Sequence, residues 1–282
     1  MDRSMTTPLL FDPAALAQHR RRAAARPADF LLRHAAEDMA DRLAAVLRRF
    51  EAAAEIGPLS PLLGETLLPA LSASWQRADI ADEVLPLAPD SIDLALSALS
   101  LQFVNDLPGM LSQIRRALKP DGLLMAVLVG GSSLSELREA FSQAELEVEG
   151  GVSPRVAPFA DVRDMGGLLQ RAGFALPVVD GETLTVRYDN AFALMADLRA
   201  MGATNVMTQR RKSFTRRSTL LRMAEIYQER FSDPDGRIRA TFELIWISGW
   251  VPHESQQKPL QPGSAKTRLA DALGVKEHRE ED

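Results

Sequence analysis

Apolar and polar positions fall into two rhythms along this chain, and the two take turns. Residues 13–49 repeat Ala, Leu and Arg in a helix-rich stretch that Pro27 interrupts. "FEAAAEI", 50–56, is a short candidate strand, weak in propensity because Ala and Glu are poor strand formers. Residues 59–72 read as a helix with Leu59, Leu62, Leu63, Leu67 and Leu68 on one broad face. "SIDLALSALSLQFV", 91–104, opens with an apolar run suited to a strand buried on both faces. "LPGMLSQIRRALKPDG", 107–122, is the clearest helix. Pro108 sits in its first turn, Met110, Leu111, Ile114 and Leu118 keep helical spacing, and Lys119-Pro120-Asp121-Gly122 stops it. "LLMAVLVGG", 123–131, is a second buried strand. Strand, helix and strand joined by tight turns predict a right-handed βαβ unit, hence an α/β domain with a mostly parallel sheet.

The pattern continues with an amphipathic helix after residue 131, capped by Ser132 or Ser133, and another over 160–172 closed by Gly173. "TLTVRY", 183–188, and "TFELIWISGWV", 241–251, read as strands, with a mostly helical insertion between them over 189–239. The organisation expected is a helical segment over 1–49, an α/β domain over 50–256 and a polar, disordered tail over 257–282.

Composition narrows the functional classes. Over 282 residues, 46% hydrophobic and 25% charged positions suffice for a sizeable core. A net charge of −5 argues against a general nucleic-acid binder, which carries a basic excess. The absence of cysteine excludes thiolate catalysis, disulfides and cysteine-ligated metals. His19, His34, His253 and His278 lack the spacing of metal ligands, so no metal site is expected. No apolar run reaches the roughly 18 residues of a membrane span. Arg20-Arg21-Arg22 followed by three alanines has the look of a transit peptide. The acids at Asp29, Glu37 and Asp38 favour a solvated helix face instead, and a cytoplasmic protein is expected.

The segment "LALSALSLQFVNDLPGMLSQIRRALKPDGLLMAVLVGGSSLSELREAF", 94–141, carries a family likeness, extended by "SPRVAPF", "RAGF", "GATN" and "HESQ" in the same order. The chain resembles the class I S-adenosylmethionine-dependent methyltransferases of the type 11 group. Within them it is most similar to the methyltransferase and arginine hydroxylase family that assists assembly of respiratory complex I. The malonyl-carrier-protein methyltransferases of biotin synthesis are more distant. The resemblance implies a Rossmann-like seven-stranded sheet with an antiparallel last strand and S-adenosylmethionine across the carboxyl ends of the strands. It also implies a protein partner: a complex I subunit, or a carrier protein whose bound acid is methylated. The basic "RRKSFTRR" at 210–217, with Arg210, Arg211, Arg216 and Arg217, is the candidate docking patch, against an ordinary solvated loop.

Such a fold needs glycines where the turn after the first strand approaches the cofactor. It also needs acids after the next strands for the ribose hydroxyls and the adenine amino group. Glu55 and Gly57 fit the first acid and first glycine, whereas Leu59 and Pro61 stand where later glycines belong. Asp79 is a candidate for the ribose acid. Asp82, followed by Leu85-Pro86, is a candidate for the adenine acid and fits its pattern better; only one of the two can hold its family role. Gly57 and Asp82 are 25 positions apart, where two crossovers and their strands need roughly 35. One strand–helix unit is therefore expected to be missing or shortened. Leu101 and Gln102 complete the candidate cofactor contacts. Gln102 takes the place of an imidazole in the family pattern and cannot titrate near neutral pH. The eroded loop leaves a second reading, a pseudo-enzyme that kept the fold and serves as a binding or assembly factor.

Overall fold

The computed structural model describes residues 9–71 and 73–256. The chain divides into Met1–Pro252, which carries the whole sheet, and His253–Asp282. Two helices come first. In α1, Pro13–Ala23, Asp12 caps the amino end by accepting from Ala15 N at 3.0 Å. Next is α2, Phe30–Ala44, whose Leu31, Ala35, Ala36, Met39 and Leu43 form a buried stripe at helical spacing.

Strand β1, Ala52–Ile56, follows, tied at its start by Asp93, whose carboxylate accepts from Glu51 N and Ala52 N, each at 2.9 Å. Helix α3, Leu62–Leu67, leads to β2, Ser74–Ala78, and then to β3, Ile92–Ala98. A single 3-10 turn, Leu101–Phe103, precedes α4, Leu107–Ala117, and β4, Leu118–Val129. Beyond these lie α5, Ser135–Glu149, α6, Val162–Arg171, and β5, Ala175–Tyr188. Two helices, α7, Ala191–Ala200, and α8, Arg217–Phe231, separate β5 from β6, Ile238–Trp250.

The six strands stand in the order β2-β1-β3-β4-β6-β5. β1 is parallel to β2 and β3, β3 is parallel to β4, and β6 is antiparallel to both β4 and β5. This is the expected Rossmann-like α/β sheet with an antiparallel last strand. Among the described residues the sheet has six strands rather than seven, because the chain passes from β2 to β3 without building a further strand at that edge.

Each inner strand divides its side chains between two cores. Leu94, Leu96, Leu123, Met125, Val127, Leu244 and Trp246 pack under α2, α3, α5, α7 and α8. Ala95, Leu124, Ala126, Leu128, Ile245 and Ile247 pack under α4 and α6. Helix α2 thus shares the core of the sheet, and α7 and α8 cover the same face. The tail expected over 257–282 lies outside the described residues.

Local details differ from the sequence pattern. The helix read over 59–72 is only Leu62–Leu67. Strand β2, "SWQRA", has no apolar run to announce it, because it is the sheet edge and its outer face is wet. β5 begins at Ala175, directly after the Gly173 turn, eight residues before the strand pattern becomes plain. Ser133 does not cap α5. Its hydroxyl accepts from Glu243 N at 2.8 Å and donates to Glu243 O at 3.2 Å, so it ties the end of β4 to β6.

Candidate functional site

The parallel strands β1, β2, β3 and β4 all end at one edge of the sheet. From β1 the chain turns toward β2 on one side, while β3 lies on the other, so the crevice between β1 and β3 is a topological switch point. A cavity of about 330 Å³ opens there. Its floor is Leu59, Ser60 and Pro61 after β1, Leu99, Gln102 and Phe103 after β3, and Val129 at the end of β4. Its roof is the start of α2 and the ends of α1 and α7, with Arg20 and Asp29 as its charged groups.

Gly57 makes the turn out of β1 possible. Its φ is +64°, and a Cβ there would lie 2.0 Å from Ser100 Oγ. Its N–H donates to Ala78 O at 2.8 Å, so the turn is pinned across to β2. One residue earlier Ile56 is fully buried, and before it Glu55 is 3% exposed on the opposite face of β1. Arg77, its register partner on β2, places Nε 3.3 Å from Glu55 Oε2, an ion pair without hydrogen-bond alignment. Burial pushes the Glu55 carboxyl up to about 7 against the pull of the Arg77 charge.

The other predicted residues are distributed unevenly. Asp79 is exposed at the exit of β2 and accepts from Ala81 N at 3.0 Å. Burial lowers the Arg20 guanidinium from its usual range while the Asp79 charge opposes it, so this acid is electrostatically linked to the cavity roof. Asp82 is exposed and lies outside the cavity lining. Its neighbour Glu83 turns inward with φ +56° and accepts from Asn105 N at 2.7 Å and Asp106 N at 2.9 Å. Burial works to raise the Glu83 pKa, and these bonds with that from Asn105 Nδ2 outweigh it and lower it. Leu101 is fully buried in the core beneath α4, away from the cavity. Gln102 faces the cavity; its Nε2 donates to Leu99 O at 2.8 Å, and its Oε1 is buried with no hydrogen-bond partner. Leu59 and Pro61 present their side chains to the same space.

Arg20, Asp29, Ser60 and Phe103 line the cavity as well. Arg20 comes from α1 and Asp29 from the residue before α2, and the amphipathic pattern of these helices gives no hint that they roof a site. The basic stretch is partly consumed internally. Arg210 pairs with Asp12 at 2.9 Å, and Arg211 pairs with Glu149. Arg216 and Arg217 are exposed at the start of α8. In "HESQ", Ser255 N donates to His253 Nδ1 at 3.3 Å, a local turn. Among the described residues no group of three or more His, Asp or Glu could hold a metal ion. Nor is any helix among them long and apolar enough to cross a membrane.

Residues 62–126 match the methyltransferase domain family. The match begins just after the loop that carries Leu59 and Pro61. The chain is 46% identical over 186 residues to the mitochondrial arginine-hydroxylase NDUFAF5 of Dictyostelium discoideum, covering 66% of this chain and 42% of that protein. It is 38% identical over 162 residues to a malonyl-[acyl-carrier protein] O-methyltransferase of Xylella fastidiosa (strain M23), covering 57% of this chain and 52% of that protein. The chain thus spans about half the length of the curated relatives it matches. Phosphoethanolamine N-methyltransferase 2 of Haemonchus contortus, solved with S-adenosyl-L-methionine, superposes with a TM-score of 0.44 at 12% identity, covering 86% of this chain and 57% of that one. One expectation is corrected here. The cytoplasmic location read from the acids after the arginine run conflicts with the close relatives, which are mitochondrial proteins.

Proposed function

We propose that this chain, with its methyltransferase domain match over residues 62–126, is an S-adenosylmethionine-dependent methyltransferase-like protein that serves respiratory complex I assembly. One observation carries the reading: a cavity at the switch point of the sheet whose wall holds an unsatisfied buried acceptor, Gln102 Oε1. Glu55, ion-paired with Arg77, lies beneath the same loop. An unsatisfied acceptor suits a cation rich in N–H and O–H donors, and a buried polar atom without a partner is costly until such a ligand arrives. These residues therefore fit the cofactor.

In this reading Gly57 bends the backbone toward the ligand, and Glu55 beneath the loop takes up negative charge only as pH rises through about 7. Gln102 accepts a hydrogen bond from the ligand, and Leu101, anchored in the core, fixes the turn that aims it. Asp79 or Asp82 would take the ribose or adenine side, Asp79 having the electrostatic link to Arg20. When bound, the cofactor supplies a methyl group activated on a cationic sulfur. The chain's own part is to position the acceptor and exclude water.

The resemblance to the complex I assembly family, in which one branch hydroxylates an arginine, supports the biological setting. Isothermal titration with S-adenosylmethionine tests the reading. Micromolar binding supports it, and no binding at millimolar ligand overturns it. The second reading, a binding factor without group transfer, is favoured by Leu59 and Pro61 facing the cavity, and no binding is its signature. The relationship to the malonyl-carrier-protein enzymes supports a third, carboxyl methylation of a carrier-bound acid. It requires that reversing the charges of Arg210, Arg211, Arg216 and Arg217 weaken carrier binding.

A further inference from the structure

A second, larger cavity of about 630 Å³ lies beside the first, and Phe103 and Ala203 line both. Its inner wall is apolar, with Leu134, Leu137, Phe141 and Leu198 all buried. Its outer part is cationic. Arg22, Arg199 and Lys212 are exposed there and form no ion pair among the described residues. The other guanidiniums of the lining are paired: Arg155 with Glu145, Arg210 with Asp12 and Arg211 with Glu149. No Asp or Glu lines the space among the described residues. The field of this cluster reaches the wall. Burial, and then the charges of Arg22, Arg210 and Arg199, hold the His19 imidazole below its usual range against its hydrogen bond with Thr204.

We propose that this second cavity binds an amphipathic anion, a ligand with an apolar body and a carboxylate or phosphate at one end. The apolar body fills the space beside Leu137 and Phe141, and the anionic head meets Arg22, Arg199 and Lys212 at the mouth. Three uncompensated cations around one opening repel a guanidinium or ammonium and attract the opposite charge. The shared wall at Phe103 sets such a ligand against the first cavity. Its role as an acceptor there rests on the reading of the first cavity as a cofactor site, whereas the binding itself does not.

The test titrates the full chain with decanoate, decyl phosphate and decylamine, which share the apolar body and differ in the head. The anions are expected to bind about tenfold or more tighter than decylamine, with an affinity that falls as salt rises. The better of the two anions identifies the head group. The triple variant R22Q/R199Q/K212Q, all at exposed positions, is expected to weaken anion binding about tenfold or more while the melting temperature changes little. M195W, which places an indole in the lining at Met195, is expected to weaken it. Equal affinity for decylamine, an unaltered triple variant or full binding by M195W each overturns the proposal. S-adenosylmethionine titrated in parallel keeps the two ideas apart, because a failure there with decanoate still bound removes the cofactor reading alone.

Discussion

Gly57 and Ser100 close on each other so tightly that a Cβ on residue 57 would sit 2.0 Å from the serine Oγ. The contact joins the turn after β1 to the turn after β3, the two loops that floor the first cavity. Gly57→Ala therefore meets both the clash and the strain of φ +64°, and is expected to cost about 1–3 kcal/mol. Urea denaturation measures it. Adding Ser100→Ala removes the nearest atom but not the backbone strain, so the double variant is expected to recover part of the loss.

Glu55 makes stability depend on pH in an identifiable window. Its carboxyl rises from 4.5 in the open chain to about 7 in the fold, so the folded state holds a proton that the unfolded state has lost. The stability that Glu55 contributes is then fullest below about pH 4.5, falls as pH rises toward 7 and levels off above it, by about 3 kcal/mol at most. Denaturation of the native protein and of Glu55→Gln at pH 5 and pH 8 checks this. The glutamine variant is expected to lose this part of the slope, and an unchanged slope would assign the effect elsewhere.

Gln102 separates stability from binding. Gln102→Leu removes the unpartnered Oε1 and also the bond to Leu99 O, two changes of opposite sign that leave stability within about 1 kcal/mol. Affinity for S-adenosylhomocysteine is expected to fall about tenfold. Calorimetry of both proteins, with thermal melts alongside, shows whether the two properties part.

Glu145 is 1% exposed in its side chain and rests on Arg155, Ser153 N at 2.6 Å and Ser153 Oγ at 2.7 Å. Arg155 also lies 4.9 Å over the ring of Phe141 and donates to Thr215 Oγ1 at 2.9 Å, fastening the segment before α8 to α5. Arg155→Met leaves a buried carboxylate without its counter-charge and is expected to cost about 3–5 kcal/mol. Arg155→Met with Glu145→Gln is expected to recover much of that. Chemical denaturation of the two variants reads the difference.

The centre of this fold was legible because it is buried on both faces. β3 and the second half of β4 are apolar runs and α4 keeps helical spacing, but the helix read over 107–122 ends at Ala117, and Leu118–Gly122 opens β4 instead of closing the helix. β2 was illegible for the opposite reason: an edge strand with a wet outer face needs no apolar pattern. The missing unit was nonetheless readable from chain length alone. At the site, Gly57 and Glu55 are singled out by the family pattern of an acid and a glycine after the first strand, and the structure places them at a left-handed turn and a buried position. The 3-10 turn was harder, since it turns Leu101 into the core and leaves Gln102 at the cavity. Nothing in the spacing of α1 or α2 marks Arg20 or Asp29 as roof residues, because tertiary packing alone brings them there.

The early end of the sheet has one more consequence. Because β2 is the rim, Glu55 is a single strand away from bulk solvent, and the side chain that faces it, Arg77, is 42% exposed. The buried acid is therefore governed by a charge that mobile ions can reach. Raising ionic strength screens the arginine and lets the carboxyl hold its proton to higher pH. The underside of the loop after β1 thus responds to the salt around the protein, a shift that side-chain NMR of Glu55 at two salt concentrations would register.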